Sequence, residues 1–336
     1  MADAGSFRLG IVGAGGIAGA HAGAAKGTGG RLSVAAAVDT SAPTLEKFTG
    51  EHGCRGFAGV DALFGAIDAG EIAIDGLVLC TPPTARVETL RGAMERGIAV
   101  LSEKPLAATV EDGQDMAQLV GKHPDVCSGV GYCHRFAPAV IEMKKLASAG
   151  KIGRVTRFEN TFAFNHPTVK DKWMSDPAVA GGGSFIDTGS HSLDLFQFLV
   201  GTPEVVGAAF DHEWEGRAES SASVVVRAGS AGGASGVILA GWTEPERFDV
   251  RLVGTHGSLS YDYFEPEKLH FRGVDGSSEQ IGVQTHEVRF AEQLLAFAEA
   301  ARRPTDRAAR RDLATFEDAL RVTRAVDAAA RASRII

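Results

Sequence analysis

A glycine-rich turn directly after the first apolar segment constrains the fold of this chain more than any other feature of the sequence. The run Phe7–Val12 has the composition of a short buried strand, and residues 13–18 follow it with the pattern G-x-G-x-x-A. In a strand–turn–helix unit, the first glycine permits the tight turn and the second lets phosphate groups approach the backbone. The small third residue lets the helix pack closely on the strand.

The start of the following helix predicts a binding site for a dinucleotide. Gly13, Gly15, Gly16 and Ile17 would surround the pyrophosphate, which the unpaired N–H groups of a helix N-terminus bind well. Asp39 ends the next strand pattern, where a carboxylate can bind the adenosine ribose hydroxyls. A glycine-rich turn without a ligand is the alternative.

Asp39 also bears on the choice of cofactor. Its carboxylate would repel the 2′-phosphate of NADP, and Thr40 and Ser41 supply no arginine to attract that phosphate. The sequence therefore favours NAD over NADP, although some sites of this kind accept both.

The order of strand and helix patterns predicts two domains of different kinds. Over the first 130 residues the two patterns alternate, which is typical of a parallel sheet with helices on both faces. From residue 154 onward, strands follow one another and indicate a mostly antiparallel sheet, and two helical stretches, about 286–302 and 307–333, close the chain. We expect a nucleotide-binding type of α/β domain over 1–130 and an α+β domain over 131–336, whose last helix could pack back on the first domain.

Composition narrows the class of protein. The 336 residues carry a formal net charge of −8, which argues against a nucleic-acid-coating protein. We expect no membrane association, since no apolar run approaches the ~18 residues of a spanning helix. The segment before Leu9 holds both Asp3 and Arg8 and lacks the positive region of a signal peptide, and the four cysteines show no CxxC spacing. A reducing, cytoplasmic location is expected.

Two further segments carry residues suited to chemistry. Lys104, in Glu103-Lys104-Pro105, follows a strand of the first domain at the carboxyl end, the edge where ligands of open α/β sheets bind. An ordinary solvated lysine is the alternative. Asp187, His191 and Asp194 follow three glycines, and on a helix they would share one face. An imidazole beside a carboxylate suits proton transfer near neutral pH. A metal site and a polar, capped helix start remain alternatives for this cluster.

These elements, in this order, resemble the Gfo/Idh/MocA family of nicotinamide-dependent oxidoreductases, to which glucose–fructose oxidoreductase and inositol dehydrogenase belong. The resemblance covers nearly the whole chain and rests on the following segments: GAGGIA at 13–18, TPP at 81–83, EKP at 103–105, YCHRF at 132–136, GKIG at 150–153 and the block at 181–194. It implies that the first domain is a Rossmann domain and that the second contains a large, open, mostly antiparallel sheet. It also implies that this open sheet serves in forming a homodimer or homotetramer.

The resemblance also implies which residues act. Its lysine is Lys104 here, and its D-x-G-x-H aspartate and histidine are Asp187 and His191. The chain departs from the family at Arg86, where a histidine is frequent, and at Cys133, where an asparagine is frequent. Neither departure changes Lys104, Asp187 or His191, and both bear on the shape of the pocket.

The expected reaction is hydride transfer between the nicotinamide and a secondary alcohol of a sugar, sugar derivative or cyclitol. His191 would take the hydroxyl proton, Lys104 would stabilise charge on the same oxygen, and Asp187 would hold the substrate or orient the histidine. Asp194 is expected to be structural. The remaining candidates are Thr40, Thr81, Pro82 and Glu103 toward the cofactor, and Tyr132, His166 and Trp173 toward the substrate.

Two other functions stay open. A redox-neutral glycosidase would oxidise its substrate only transiently and consume no NAD. A dinucleotide-sensing regulator on the same scaffold need not keep Lys104, Asp187 and His191 together, so their presence argues against it.

Overall fold

The computed structural model describes residues 5–229, 233–304, 306, 308–310 and 312–333, which fall into two compact units. The first unit contains the chain up to Leu106 together with Gln114–Cys133 and Phe290–Phe316. The second contains Ala107–Gly113, His134–Arg289 and the chain from Glu317 onward. The assignment of a cofactor domain to 1–130 and a substrate domain to 131–336 stays a prediction.

The strands and helices of the described residues follow a simple order along the chain. The strands are β1 Phe7–Val12, β2 Leu32–Val38, β3 Arg55–Phe57, β4 Gly76–Leu79, β5 Ala99–Ser102, β6 Ser128–Val130, β7 Val155–Asn165, β8 Pro203–Asp211, β9 Ser221–Ala228, β10 Ser235–Gly241, β11 Thr243–Gly254, β12 Gly257–Asp262, β13 Lys268–Gly273 and β14 Ser278–Gly282. The helices are α1 Gly16–Lys26, α2 Ala42–His52, α3 Val60–Asp68, α4 Val87–Glu95, α5 Val110–Gly121, α6 Pro138–Ser148, α7 Pro177–Ala180, α8 Ser190–Leu199, α9 Arg289–Arg302 and α10 Phe316–Ser333.

The first unit is built on a parallel sheet with the strand order β3-β2-β1-β4-β5-β6. Every residue of β4 and β5 is buried, as expected for strands covered by helices on both faces. The order of the strands reverses between β1 and β4, and in open α/β sheets the crevice at such a reversal is where ligands bind. The predicted Rossmann architecture is confirmed.

The second unit is built on a sheet with the order β14-β13-β12-β11-β7-β10-β9-β8. Its strand pairs are antiparallel except for β7 and β10, which run parallel, so the prediction of a mostly antiparallel sheet is confirmed. One face is apolar, and Phe158 of β7 meets Phe196 of α8 edge-on at 5.5 Å between ring centroids. On the other face, Arg157, Glu159 and Arg251 form ion pairs.

Several elements differ from the sequence prediction. The sequence of residues 84–96, with Gly97 as a helix stop, predicts one helix, but the segment forms a 3₁₀ turn, Pro83–Ala85, followed by α4. The final helix begins at Phe316 rather than near Arg307, which lies outside the described residues, and α10 belongs to the second unit. Sequence reasoning did not find β3, α3, β13 or β14. Among the described residues, no helix combines the length and apolar character needed to cross a bilayer.

A buried ion pair ties α8 to the segment before α6. The guanidinium of Arg135 donates two hydrogen bonds to the carboxylate of Asp194, from Nη2 at 2.6 Å and from Nε at 2.8 Å. Both side chains are almost fully buried. Burial raises the pKa of Asp194, and the nearby Arg135 opposes that rise. The expected structural role of Asp194 thus has a defined partner.

Replacing Asp194 with Ala is expected to lower the free energy of unfolding by about 3–5 kcal/mol, because it removes the carboxylate that pairs with a buried guanidinium. Urea denaturation followed by circular dichroism measures this loss. The matched control is Asp327→Ala, which breaks an exposed i,i+4 pair with Arg331 and is expected to cost less than about 1 kcal/mol. Equal losses in the two variants would contradict the role given to the buried pair.

Candidate active site

The turn at residues 13–18 has the backbone geometry that its sequence predicts. Gly13 adopts a φ of +90°, and a Cβ there would lie 2.9 Å from the backbone nitrogen of Thr81. Gly13 is therefore required by the fold. Apart from the adjoining backbone, no atom of the described residues lies within 4 Å of the positions that a Cβ would take on Gly15 and Gly16, at the N-terminus of α1. Ile17 is partly exposed in the first turn of that helix. The backbone is thus open where phosphates are expected to bind.

Asp39 lies beside this turn at the carboxyl end of β2. One carboxylate oxygen accepts the backbone N–H of Ala14 at 2.8 Å, and the other accepts the N–H of Ser41 at 2.8 Å. Thr40 is exposed between them. A groove of about 600 Å³ runs between the glycine turn and α2 and is lined in part by Thr44 and Lys47. The carboxylate, the open helix N-terminus and the groove fit the adenosine and pyrophosphate parts of a dinucleotide.

Adding one methyl group at Gly13 or at Gly15 is expected to have different effects, on stability in the first case and on cofactor binding in the second. Gly13→Ala is expected to destabilise the protein by about 1–3 kcal/mol without any cofactor, because of its backbone conformation and its contact with Thr81. Gly15→Ala is expected to change stability by less than about 0.5 kcal/mol. It is expected to weaken NADH binding by about tenfold or more, because a methyl group would keep the pyrophosphate from the backbone.

Thermal unfolding without cofactor and NADH fluorescence titration measure the two effects separately. Tight NADH binding by Gly15→Ala, or wild-type stability of Gly13→Ala, would overturn the corresponding role.

Glu103 and Lys104 follow β5, and Thr81 and Pro82 follow β4, so both segments lie at the carboxyl edge of the sheet. Lys104 is half-buried and joined to Pro105 by a cis peptide bond. The buried carboxylate of Glu103 lies 2.7 Å from Nε2 of His21 on α1 and accepts the backbone N–H of Lys104 at 3.1 Å.

Arg86 lies beneath the same two segments and is 2% exposed. Its guanidinium donates to the carbonyl oxygen of Thr81, from Nε at 2.9 Å and from Nη2 at 2.6 Å. Its Nη1 donates to the carbonyl oxygens of Glu103 and Pro105. Burial lowers the pKa of Arg86 to about 10, which still leaves it charged at neutral pH.

In the second unit, Glu219 anchors the glycine segment that precedes Asp187. Its buried carboxylate accepts the backbone N–H groups of Gly183 at 2.9 Å and Phe185 at 3.0 Å, and burial raises its pKa. A Cβ on Gly183 would lie only 2.0 Å from the carbonyl oxygen of Glu219, so this close approach requires glycine. The contact fixes the start of the helical segment that carries Asp187.

Asp187 and His191 lie on successive parts of one helical segment. Asp187 belongs to a π-helical turn, Phe185–Gly189, which leads directly into α8, where His191 is in the first turn. Such π-turns are frequent at functional sites. The indole Nε1 of Trp242 donates to Oδ2 of Asp187 at 3.1 Å. The ring of His191 meets that of His134 edge-on, with 4.5 Å between centroids. Asp194, by contrast, pairs with Arg135.

His134 extends this group of polar rings. Its Nδ1 lies 2.7 Å from the hydroxyl oxygen of Tyr263, and its ring also packs on Phe162. His191 therefore borders a group of rings in this unit, in which His134 contacts both Phe162 and Tyr263. No group of three or more His, Cys, Asp or Glu side chains suited to a metal ion occurs in the described ranges.

The three predicted substrate contacts lie in different surroundings. Tyr132 belongs to the first unit and is 1% exposed. His166 and Trp173 lie in the connection after β7, where Nζ of Lys172 is 3.1 Å from Nε2 of His166. Trp173 is 44% exposed, as a side chain available to a ligand would be.

Sequence reasoning missed two residues that hold these segments. Glu219 has no motif around it, and its partners are backbone groups more than thirty positions away. Arg86 was noticed only as a departure from a family pattern, and its three carbonyl partners become visible only in the folded chain.

Comparison with known proteins agrees with this geometry. Two protein-family sequence models match the chain. The one described as "Oxidoreductase family, NAD-binding Rossmann fold" matches residues 7–132, and the one described as "GFO/IDH/MocA C-terminal domain" matches residues 140–260. The chain belongs to the Gfo/Idh/MocA oxidoreductase family. Its first unit carries the NAD(P)-binding Rossmann domain of that family.

Curated relatives of this Gfo/Idh/MocA protein are distant in sequence. The rhizopine catabolism protein MocA of Rhizobium meliloti is 29% identical over 195 residues, which cover 58% of this chain and 57% of the relative. Inositol 2-dehydrogenase of the same species is 27% identical over 281 residues, 81% of this chain and 80% of the relative.

Solved structures share the whole fold. An inositol dehydrogenase homologue from Azotobacter vinelandii, complexed with NAD+, matches with a TM-score of 0.87 and 19% identity over 99% of this chain and 96% of its own. A 3-ketoreductase from Actinomadura kijaniata, in complex with NADP and TDP-benzene, matches with a TM-score of 0.82 and 21% identity over 97% and 98%.

Proposed function

We propose that this chain is an NAD-dependent dehydrogenase or reductase that transfers hydride between the nicotinamide and a secondary alcohol of a sugar, sugar derivative or cyclitol. The observation that carries the proposal is the placement of Asp187 and His191 on one helical segment, the π-helical turn and the first turn of α8. They occur in a chain whose first unit has a dinucleotide-type turn and Lys104 at its carboxyl edge. The name of the inositol 2-dehydrogenase supports the substrate class.

The proposed mechanism divides the work between cofactor and chain. NAD would supply the hydride acceptor when bound, held by Gly13, Gly15, Gly16 and Asp39. His191 removes the proton from the substrate hydroxyl oxygen, and the ammonium of Lys104 donates a hydrogen bond to that oxygen as negative charge develops.

Asp187 orients the substrate or His191 in this mechanism, and the hydrogen bond from Trp242 keeps its carboxylate in one orientation. His166 and Trp173, which are partly exposed, are proposed to select the substrate, because aromatic faces pack on sugar C–H groups and polar atoms bind hydroxyls. Tyr132 is 1% exposed, and its contact with the substrate stays a prediction from the sequence. Thr40, Thr81, Pro82 and Glu103 are proposed to line the cofactor, together with Ile17.

Replacing Lys104 or His191 with Ala is expected to lower kcat by roughly a hundredfold or more, because each removes a group that acts in the transition state. NADH binding is expected to stay close to that of the wild type. The measurement is NADH absorbance with inositols, aldoses and glycosides as a substrate panel, followed by fluorescence titration of NADH.

Lys122→Ala, an exposed lysine of the first unit, serves as the matched control and should keep full turnover. Near-wild-type turnover in both Lys104→Ala and His191→Ala would contradict the catalytic roles proposed for these two residues. Glycoside cleavage without net NADH would instead support the redox-neutral alternative. Cofactor binding without any product would support a sensor.

The preference for NAD is proposed from the position of Asp39. A second negative charge from a 2′-phosphate would lie against this carboxylate, which costs binding free energy. Known structures of this fold contain NAD or NADP, so the fold alone does not decide the cofactor. The carboxylate is the feature of this chain that favours NAD.

Asp39→Asn is expected to raise the ratio of kcat/KM for NADP to that for NAD by about tenfold, or about 1.4 kcal/mol, because it removes the charge with little change in shape. Steady-state kinetics with both cofactors measure the ratio. Asp61→Asn, an exposed carboxylate of α3, is the control. An unchanged ratio in Asp39→Asn would remove the electrostatic argument for NAD.

The second unit is also proposed to form a homodimer or homotetramer through its open sheet face. Three valines on this face, Val206, Val225 and Val237, are 39–60% exposed on neighbouring strands. Ion pairs such as Arg227 with Glu204 flank them. An apolar centre with a charged rim is typical of a protein interface.

A further inference from the structure

A buried arginine joins the two loops at the carboxyl edge of the first sheet. Arg86 precedes α4, and its guanidinium reaches the carbonyl oxygens of Thr81, Glu103 and Pro105. Thr81 belongs to the loop after β4, and the other two carbonyls flank Lys104 in the loop after β5. One side chain therefore bonds the backbone on both sides of the proposed catalytic lysine.

These bonds use the particular shape of arginine. A guanidinium presents five N–H donors in a rigid plane, whereas an imidazole presents at most two and an ammonium has no fixed fork. Burying such a cation is costly unless its donors are bonded, and here Nε, Nη1 and Nη2 all donate to carbonyl oxygens. The nearby Glu103 carboxylate also favours the charged form of Arg86.

The side chain of Glu103 adds a second restraint on the same loop. One of its oxygens lies 2.7 Å from Nε2 of His21, and the other accepts the backbone N–H of Lys104. A Cβ on Gly131 would lie 2.8 Å from the first oxygen, so the backbone just after β6 also leaves little space around it. The carbonyl of Glu103, the N–H of Lys104 and the carbonyl of Pro105 are thus all hydrogen-bonded.

We infer that Arg86 is a positioning residue, which holds the backbone of Lys104 in place by bonding the loops after β4 and β5 to one another. Its effect on catalysis rests on the function proposed above, whereas its effect on the loop does not. Loss of the fork should let the loop after β5 move, and a displacement of about 1 Å in a reacting group can cost about a hundredfold in rate.

The test compares Arg86→Lys, Arg86→His and Arg86→Ala with Arg91→Ala, an exposed arginine of α4 that pairs with Glu88 at 3.6 Å. Amide hydrogen exchange by mass spectrometry follows the peptide that contains Lys104 and Leu106. We expect about tenfold faster exchange there in the three Arg86 variants, with exchange in β1 unchanged. Arg91→Ala should match the wild type.

Turnover and cofactor binding then separate positioning from general stability. We expect kcat of Arg86→Lys and Arg86→His to fall by about ten- to a hundredfold. The Kd for NADH should rise by a smaller factor, because Thr81 and Glu103, whose carbonyls Arg86 bonds, are also proposed to line the cofactor. Millimolar guanidinium chloride should restore part of the kcat of Arg86→Ala, because the free guanidinium ion can bind where the Arg86 side chain was removed. It should not restore the kcat of Lys104→Ala.

Each outcome decides the inference. Wild-type exchange and wild-type kcat in Arg86→Lys and Arg86→His overturn it. Faster exchange across the whole first unit, with loss of NADH binding and no recovery in guanidinium, also overturns it in favour of a purely structural role. If no panel substrate reacts with the wild type, the proposed function fails, and the exchange measurement still decides whether Arg86 holds the loop.

Discussion

The carboxyl edge of a parallel sheet determines where the candidate residues of the first unit lie. Because all six strands point the same way, the loops after β1, β2, β4 and β5 emerge at one edge. Gly13, Asp39, Thr81 and Lys104 are far apart in sequence and are gathered there by the strand order. The loops also restrain one another. Gly13, in the loop after β1, lies so close to Thr81, in the loop after β4, that there is no space for a Cβ on residue 13.

In the second unit, the candidate residues are held in position in a different way. Its acid–base candidates lie on a helix rather than at strand ends, so the start of that helix has to be fixed. Glu219 provides this by accepting two backbone N–H groups at the beginning of the segment, where a helix leaves its donors unpaired. Trp242, from the sheet, then orients Asp187.

Sequence reasoning predicted what depends on short-range pattern. The strand Phe7–Val12 and the helix after it were readable, because residues within about twenty positions determine them. The family was readable from short motifs, although these are spread along nearly the whole chain. The three-residue β3 has two exposed residues of three and no apolar alternation to reveal it. The Arg86 fork and the Glu219 anchor depend on backbone carbonyls and N–H groups, which every residue carries, so no residue type marks them in advance. The roles of Lys104, Asp187 and His191 remain predictions.

The discontinuity of the first unit has a consequence for synthesis of the chain. Phe297 of α9 packs edge-on against Phe7 at 5.9 Å, and Ala314 bonds to Val130 at the end of β6, so residues 290–316 complete a unit that begins at the N-terminus. A ribosome therefore synthesises all eight strands of the second unit's sheet before residues 290–316 can pack on the first unit and complete it. Until then its early strands lack part of their apolar cover, a state in which exposed strands associate readily and chaperones act.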